Sequence, residues 1–186
     1  VTLQLFLFTS LIGISAGTLL GVFAAKYKNS IGVATKVVSF IVAGIPILVL
    51  LFWLHYPLQS ILNVVINPFY TAIAALAIVN VVAIAELMRN VLIDFPKQYI
   101  VAAQMCGMSS KDIFKKIQFP LIFRQSLPSL LIIQVNILQA TLFASLISVE
   151  EIFRVAQRIN ATIYKPVEIY TSLAILFILV LAPMNY

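Results

Sequence analysis

The chain has 186 residues, 62% hydrophobic and 10% charged, with a net charge of +6, against roughly 45–50% apolar and about 25% charged in soluble domains. Such a chain would expose large apolar patches in water, so the composition excludes an ordinary soluble enzyme and predicts one domain crossing a bilayer several times. The basic excess is not gathered with aromatics on one polar face, which excludes a nucleic-acid partner, and one cysteine, Cys106, excludes an internal disulfide or a multi-cysteine metal cage.

A crossing helix needs about 20 apolar residues, and five stretches supply them: 1–25, 33–55, 69–90, 128–149 and 168–186. The chain opens at Val1 rather than Met, which predicts a missing N-terminal piece. Residues 1–25 are too long and too weakly flanked for a signal peptide and are expected to form a true span. Gly13, Gly17 and Gly21 in it are spaced by four, which either lets another helix approach closely or is glycine merely tolerated in a membrane helix. In the second span, Pro46 after Gly44 either breaks the helix and frees carbonyls toward a path, or only kinks it. His55, beside Trp53 and Tyr56, suits an interfacial aromatic belt, and a lone histidine offers no metal site. No Ser-His-acid set is visible, so no catalytic residue is assigned.

Polar side chains at membrane depth should face protein or a water-filled path. Asn80 in the third span and Gln134, Asn136, Gln139 and Thr141 in the fourth are such residues; Asn80, Asn136 and Gln139 are favoured as lining a path, against interhelical hydrogen bonding as the competing role. Glu86 and Arg89, spaced i, i+3, predict an ion pair at the end of the third helix. Glu150, Glu151, Arg154 and Arg158 at helical spacing predict a short external helix.

Counting Lys and Arg alone, Lys26, Lys28, Lys36, Arg89, Lys97, Lys111, Lys115, Lys116 and Arg124 share one side, nine of twelve, leaving Arg154, Arg158 and Lys165 on the other. That bias predicts a cytoplasmic side for the loop 91–127, an outside N-terminus and a cytoplasmic C-terminus.

Within this loop, Asp94-Phe95-Pro96 should end the third span. A short helix from Lys97 to Cys106 should stop at Gly107, and Ser109 with Asp112 three residues on should cap a second. That second helix sets Ile113, Phe114 and Ile117 on one stripe, with Lys111, Asp112, Lys115 and Lys116 elsewhere, and Pro120 is expected to end it. Such a helix either lies on anionic lipid through its lysines or pegs into a groove of a cytosolic protein.

The run Ala102-Ala103, three residues, Gly107, nine residues, Ile117-Gln118-Phe119-Pro120 resembles the E-A-A-x3-G-x9-I-x-L-P loop of ABC-importer permeases. Gly44-Ile45-Pro46-Ile47-Leu48-Val49, Glu86-Leu87-Met88-Arg89, Glu151-Ile152-x-Arg154-x-x-Gln157 and Tyr164-Lys165-Pro166-Val167-Glu168-Ile169-Tyr170 are similar to segments of the polar-amino-acid group of that family. The chain departs from the pattern at Val101, Ala43 and Gln139, where the family carries Glu, Arg and Lys or a similar polar residue, and at Asn90-Val91, where it carries two glycines.

The resemblance implies an all-α membrane protein of five transmembrane helices, similar to the methionine-importer permease fold, with a cytoplasmic coupling helix between the third and fourth. It implies a bacterial inner-membrane permease subunit that moves a polar amino acid inward, with the same architecture serving methionine or another small solute, or a membrane scaffold without transport, as alternatives. The partners implied are two cytosolic ATPase subunits, a second permease subunit, identical or related, and an external solute-binding protein. The chain would be no enzyme and bind no cofactor; ATP and Mg would sit in the ATPase. Ala102, Ala103, Gly107, Ser109, Asp112, Ile113, Phe114, Ile117 and Pro120 would form the ATPase-coupling element, and Gly44, Pro46, Asn80, Asn136, Gln139 and Thr141 the substrate pathway.

Overall fold

The computed structural model describes residues 1–185, so Tyr186, the last residue of the expected fifth span, lies outside the described residues. The described chain is all-helical. Helix α1 (Thr2–Lys26) is followed by α2 (Ile31–Gly44), α3 (Ile47–His55), a short α4 (Pro57–Leu62) and α5 (Pro68–Ile93). Then come α6 (Lys97–Met105), α7 (Ser110–Ile113), a π-turn (Phe114–Gln118), α8 (Phe119–Ala140), a 3₁₀ segment (Thr141–Ile147), α9 (Ile152–Ile163) and α10 (Pro166–Asn185).

Four helical runs are long and apolar enough to cross a membrane: Thr2–Lys26, Pro68–Ile93, Ser110–Ile147 and Pro166–Pro183. The fifth is bent. The run Ile31–Gly44 meets Ile47–Leu62 at 93°, so the second span expected over 33–55 consists of two helices, and Pro46 marks a break rather than a mere kink. The cause is local: Ile45 and Pro46 are extended (ψ 121° and 133°), as the residue before a proline and the proline itself prefer, and the backbone turns there.

The α1–α5 seam forms the centre of the bundle. Gly13, Gly17 and Gly21 all face α5, and a Cβ added at Gly17 would lie 2.8 Å from Cβ of Ile84 and from the Val81 carbonyl oxygen. The helices therefore meet backbone to backbone, a contact only the smallest residues permit. At the end that carries the α1 N-terminus, α3 lies across the bundle: Leu51 packs with Leu5, Ala72, Ala75, Ala144 and Ile147. In contrast α10 is held loosely, with Leu181 and Phe177 against Val135 and Leu138 of α8 and most of its length exposed.

One correction concerns Pro120. It does not end the loop helix: the chain is helical without interruption for 38 residues from Ser110 to Ile147, and Pro120 occupies the first turn of α8. A proline lacks its own N–H and crowds the carbonyl four residues back. The π-turn before it widens the helix by one residue, with Phe119 N–H bonding to the Phe114 carbonyl, and so makes room for the ring.

Candidate functional site

Two polar ends and one buried polar knot carry the residues of interest. The first end gathers the basic loops. The C-terminus of α1, the N-terminus of α2 and the C-terminus of α5 meet where Gly32 approaches the Ala24 carbonyl and the Arg89 guanidinium. There Arg89 Nη1 lies 3.2 Å from Glu86 Oε1 and donates to Asn90 Oδ1 at 2.9 Å. The pair is largely shielded, and Glu86 Oε2 and Arg89 Nε find no partner among the described residues.

Beyond α5, Asp94 closes the helix and Phe95 tucks in, 8% exposed. Helix α6 ends in a double bond pattern: Met108 N–H reaches the Ala103 carbonyl at 3.1 Å and Gly107 N–H the Gln104 carbonyl at 2.9 Å. This Schellman closure needs a left-handed residue, and Gly107 sits at φ +74°. Two residues on, Ser109 Oγ accepts Asp112 N–H at 3.2 Å and donates to Asp112 Oδ2 at 2.6 Å. Lys116 Nζ closes on Asp112 Oδ1 at 3.1 Å. The loop is thus a rigid corner, fastened on both sides of Met108.

Its expected apolar stripe divides. Ile113 is buried at 3% exposure, whereas Phe114 is 53% exposed; Ala103 and Ile117 turn inward to differing degrees, and Ala102 and Pro120 stand outside. Phe114, Phe119 and Phe123 form an exposed ladder, with successive ring centroids 6.3 and 6.4 Å apart. The π-turn aligns them; a regular helix would have fanned them apart. That turn carries no sequence signal beyond Pro120.

The buried knot sits on the seam. Asn80, fully buried, donates to the Thr9 carbonyl at 3.0 Å and accepts from Gln134 Nε2 at 3.1 Å, tying α1, α5 and α8 together. The group of Asn80, Asn136 and Gln139 is therefore not brought together: Asn136 and Gln139 face outward from α8, while Thr141 is buried on the Leu138 carbonyl. Gly44 and Pro46 lie exposed at the bend. Gln134, four residues from Leu138 on the buried face, is the partner that spacing alone did not assign to Asn80.

The opposite end holds the acidic and basic residues of 150–158. Glu151, 1% exposed, caps α9 by accepting Arg154 N–H at 2.8 Å. Beside it Thr2 Oγ1 accepts Ile152 N–H at 2.9 Å, fastening α9 to the start of α1. Arg154 donates to the Ser145 carbonyl at 2.8 Å, and Glu150 pairs with Arg154 and Arg158. Burial pushes the Glu151 carboxyl up, against the lowering effect of the nearby backbone N–H groups of Phe153 and Arg154 and of the Thr2 hydroxyl. The structural use of Thr2 had no signal in the sequence.

Residues 17–185 match the family described as "Binding-protein-dependent transport system inner membrane component". The chain belongs to that family. Among its relatives, the octopine transport system permease protein OccM of Rhizobium radiobacter is 30% identical over 148 residues, 75% of this chain and 60% of OccM. The chain thus spans less than two thirds of that relative. The histidine/lysine/arginine/ornithine transport system permease protein HisQ of Salmonella typhimurium is 29% identical over 177 residues, covering 89% of this chain and 77% of HisQ. Among solved structures, the crystal structure of an amino acid ABC transporter with histidines superposes with a TM-score of 0.81 at 23% identity, over 99% of this chain and 86% of that one. That superposition shows that the two chains share a fold.

Proposed function

We propose that the chain is the permease subunit of a bacterial ABC importer that moves a polar amino acid inward. The similarity to permeases named for octopine and for histidine, lysine, arginine and ornithine supports the substrate class. The observation that carries the mechanism is the corner at 107–113. It is closed by the Gly107 turn and the Ser109 cap, and it continues unbroken into the 38-residue helical run through the bundle. A peg so joined moves the bundle when it is moved, because no flexible hinge lies between them.

The force would come from two cytosolic ATPase subunits, which would hold ATP and Mg; this chain performs no bond chemistry and binds no cofactor of its own. A second permease subunit would complete the pore, and an external solute-binding protein would deliver the amino acid. Ala102, Ala103, Gly107, Ser109, Asp112, Ile113, Phe114, Ile117 and Pro120 then form the coupling element. With nine of twelve basic side chains at that end, the corner faces the cytoplasm, the N-terminus lies outside and the C-terminus inside. Asn136, Gln139, Gly44 and Pro46, exposed on this single chain, are assigned to the path facing the second permease subunit.

The test is co-purification from membranes. A nucleotide-binding subunit is expected with the tagged chain and is expected to be lost from Gly107→Asp, whose side chain is disfavoured at positive φ. A wild-type chain that comes without any ATPase sinks the coupling role. In proteoliposomes, a polar amino acid with its binding protein should raise ATP hydrolysis; stimulation by other solutes alone would overturn the substrate class.

A further inference from the structure

The turn that joins α3 to α5 is apolar where a loop in water should be polar. Between Lys36 and Glu86 the sequence holds no Asp, Glu, Lys or Arg. At its far end Ile61, Leu62 and Val65 are 70%, 57% and 100% exposed. Trp53, Tyr56 and Tyr70, 49%, 55% and 64% exposed, surround them. Aliphatic tips ringed by Trp and Tyr are what a membrane interface selects.

The backbone agrees. Gln59, buried at 8% exposure, accepts Ile66 N–H on Oε1 at 2.8 Å and donates from Nε2 to Thr71 Oγ1 at 3.0 Å. Its carbonyl takes Val64 N–H at 3.1 Å, the Ser60 carbonyl takes Asn63 N–H at 3.3 Å, and Asn67 Oδ1 takes Phe69 N–H at 2.9 Å. Among the described residues, the N–H groups of Val65 and Asn67 and the carbonyls of Asn63, Val64, Val65 and Ile66 have no protein partner, which leaves them to lipid headgroups and interfacial water. A backbone partly closed by Gln59 and partly open in this way suits the headgroup layer, where lipid oxygens and water remain, and not the hydrocarbon core. An open hollow of about 770 Å³ lies alongside, lined by hydrogen-bonding side chains such as Tyr56, Gln59, Ser60 and Asn63 together with the apolar Val64 and Val65.

We propose that the turn 56–67, closed on itself by Gln59, is an interfacial anchor seated in the lipid leaflet at the end of the bundle opposite the coupling corner. Its occupant is the lipid itself, not a protein partner. The bent second span then follows: α3 and α4 run at 93° to α2, as a segment lying in the interface would, while α2 descends. This reading stands whether or not the chain couples to an ATPase.

The test uses the full chain in vesicles of phosphatidylethanolamine and phosphatidylglycerol, with Cys106→Ser removing the native thiol and a spin label on Val65→Cys. Labels on Leu11→Cys, mid-helix and exposed, and on Arg158→Cys, whose side chain is 66% exposed beside Glu150, give the lipid and water references. Collisions with oxygen at position 65 are expected to exceed those with a nickel chelate several-fold, as at position 11. Nickel access equal to that at 158 would overturn the proposal, and so would shielding from both probes, which would mean that a second protein chain covers the turn. Because Val65 touches nothing, the label leaves the fold intact, and Leu62→Cys repeats the measurement independently. In Gln59→Leu the oxygen preference at 65 should fall while that at 11 holds; an unchanged signal would overturn the part given to Gln59.

Discussion

The α1–α5 seam and the corner at 97–118 are stabilised by opposite means. The seam is held by what is absent: side chains are missing at Gly13, Gly17 and Gly21, so two backbones touch along about 12 Å of helix, with one polar knot at Asn80. In the corner, specific bonds do the work: a left-handed glycine, a serine cap and an aspartate–lysine pair, with little burial beyond Phe95, Ala103 and Ile113. Packing resists deformation everywhere at once, whereas a cap fixes one angle and leaves the surface free. A stiff rod carrying an exposed, defined tip needs both.

The sharpest way to break this comparison is to insert a side chain into the seam. Gly17→Val places methyls within contact of the Val81 carbonyl and Ile84, and overpacking of this kind costs about 1–3 kcal/mol. The expected result is loss of monodisperse protein in detergent and a lower thermal midpoint, with the corner's cap untouched. Gln134→Leu comes next. It removes the donor to Asn80 and should cost about 1 kcal/mol, in line with interhelical bonds in membranes. Asn80→Leu in the same chain should cost less than it does alone, because Asn80 Oδ1 has already lost its donor and only the bond to the Thr9 carbonyl remains to be broken. A strictly additive double variant would show that the two amides do not act together.

The fold was legible where physics repeats along the chain and silent where it happens once. Five apolar stretches of membrane length, the glycine step of four and the Gly107–Ser109 corner all leave periodic or fixed-offset signals. Pro46 announced a break but not its angle, since a proline licenses a kink and the packing of Leu51 at the bundle's end sets how far it goes. Pro120 misled: a proline is read as a terminator, and only the one-residue π-turn lets the helix run through it. The Asn80–Gln134 bond joins residues 54 apart, and which polar side chains meet across helices depends on rotation angles that no single helix encodes.

A smaller effect sharpens the other side of the comparison. Ser109→Ala removes the cap of α7, typically about 1 kcal/mol of local helix stability. Because the corner adds little to the core, the thermal midpoint of the whole chain should hold while backbone amides of 110–113 exchange faster and the ATPase subunit is retained less well. A midpoint that falls as far as in Gly17→Val would mean that the corner is part of the seam's folding unit rather than a separate local structure.

The smallest expected effect distinguishes burial from bonding at the far end. Glu151 caps α9 with one oxygen, while Oε2 is buried without a partner among the described residues, and burial raises its pKa. A raised folded-state value means that the fold binds this proton more tightly than the unfolded chain. The group therefore favours folding at pH below the ordinary carboxylate range, and that contribution is lost as pH rises through the raised value. Glu151→Gln keeps an oxygen for Arg154 N–H and carries no charge at any pH. It should stabilise the chain relative to wild type at about pH 8 and match it at about pH 4, read as the difference in thermal midpoint across that range. A difference that stays constant with pH would show that the α9 cap, and not the buried charge, decides how Glu151 contributes.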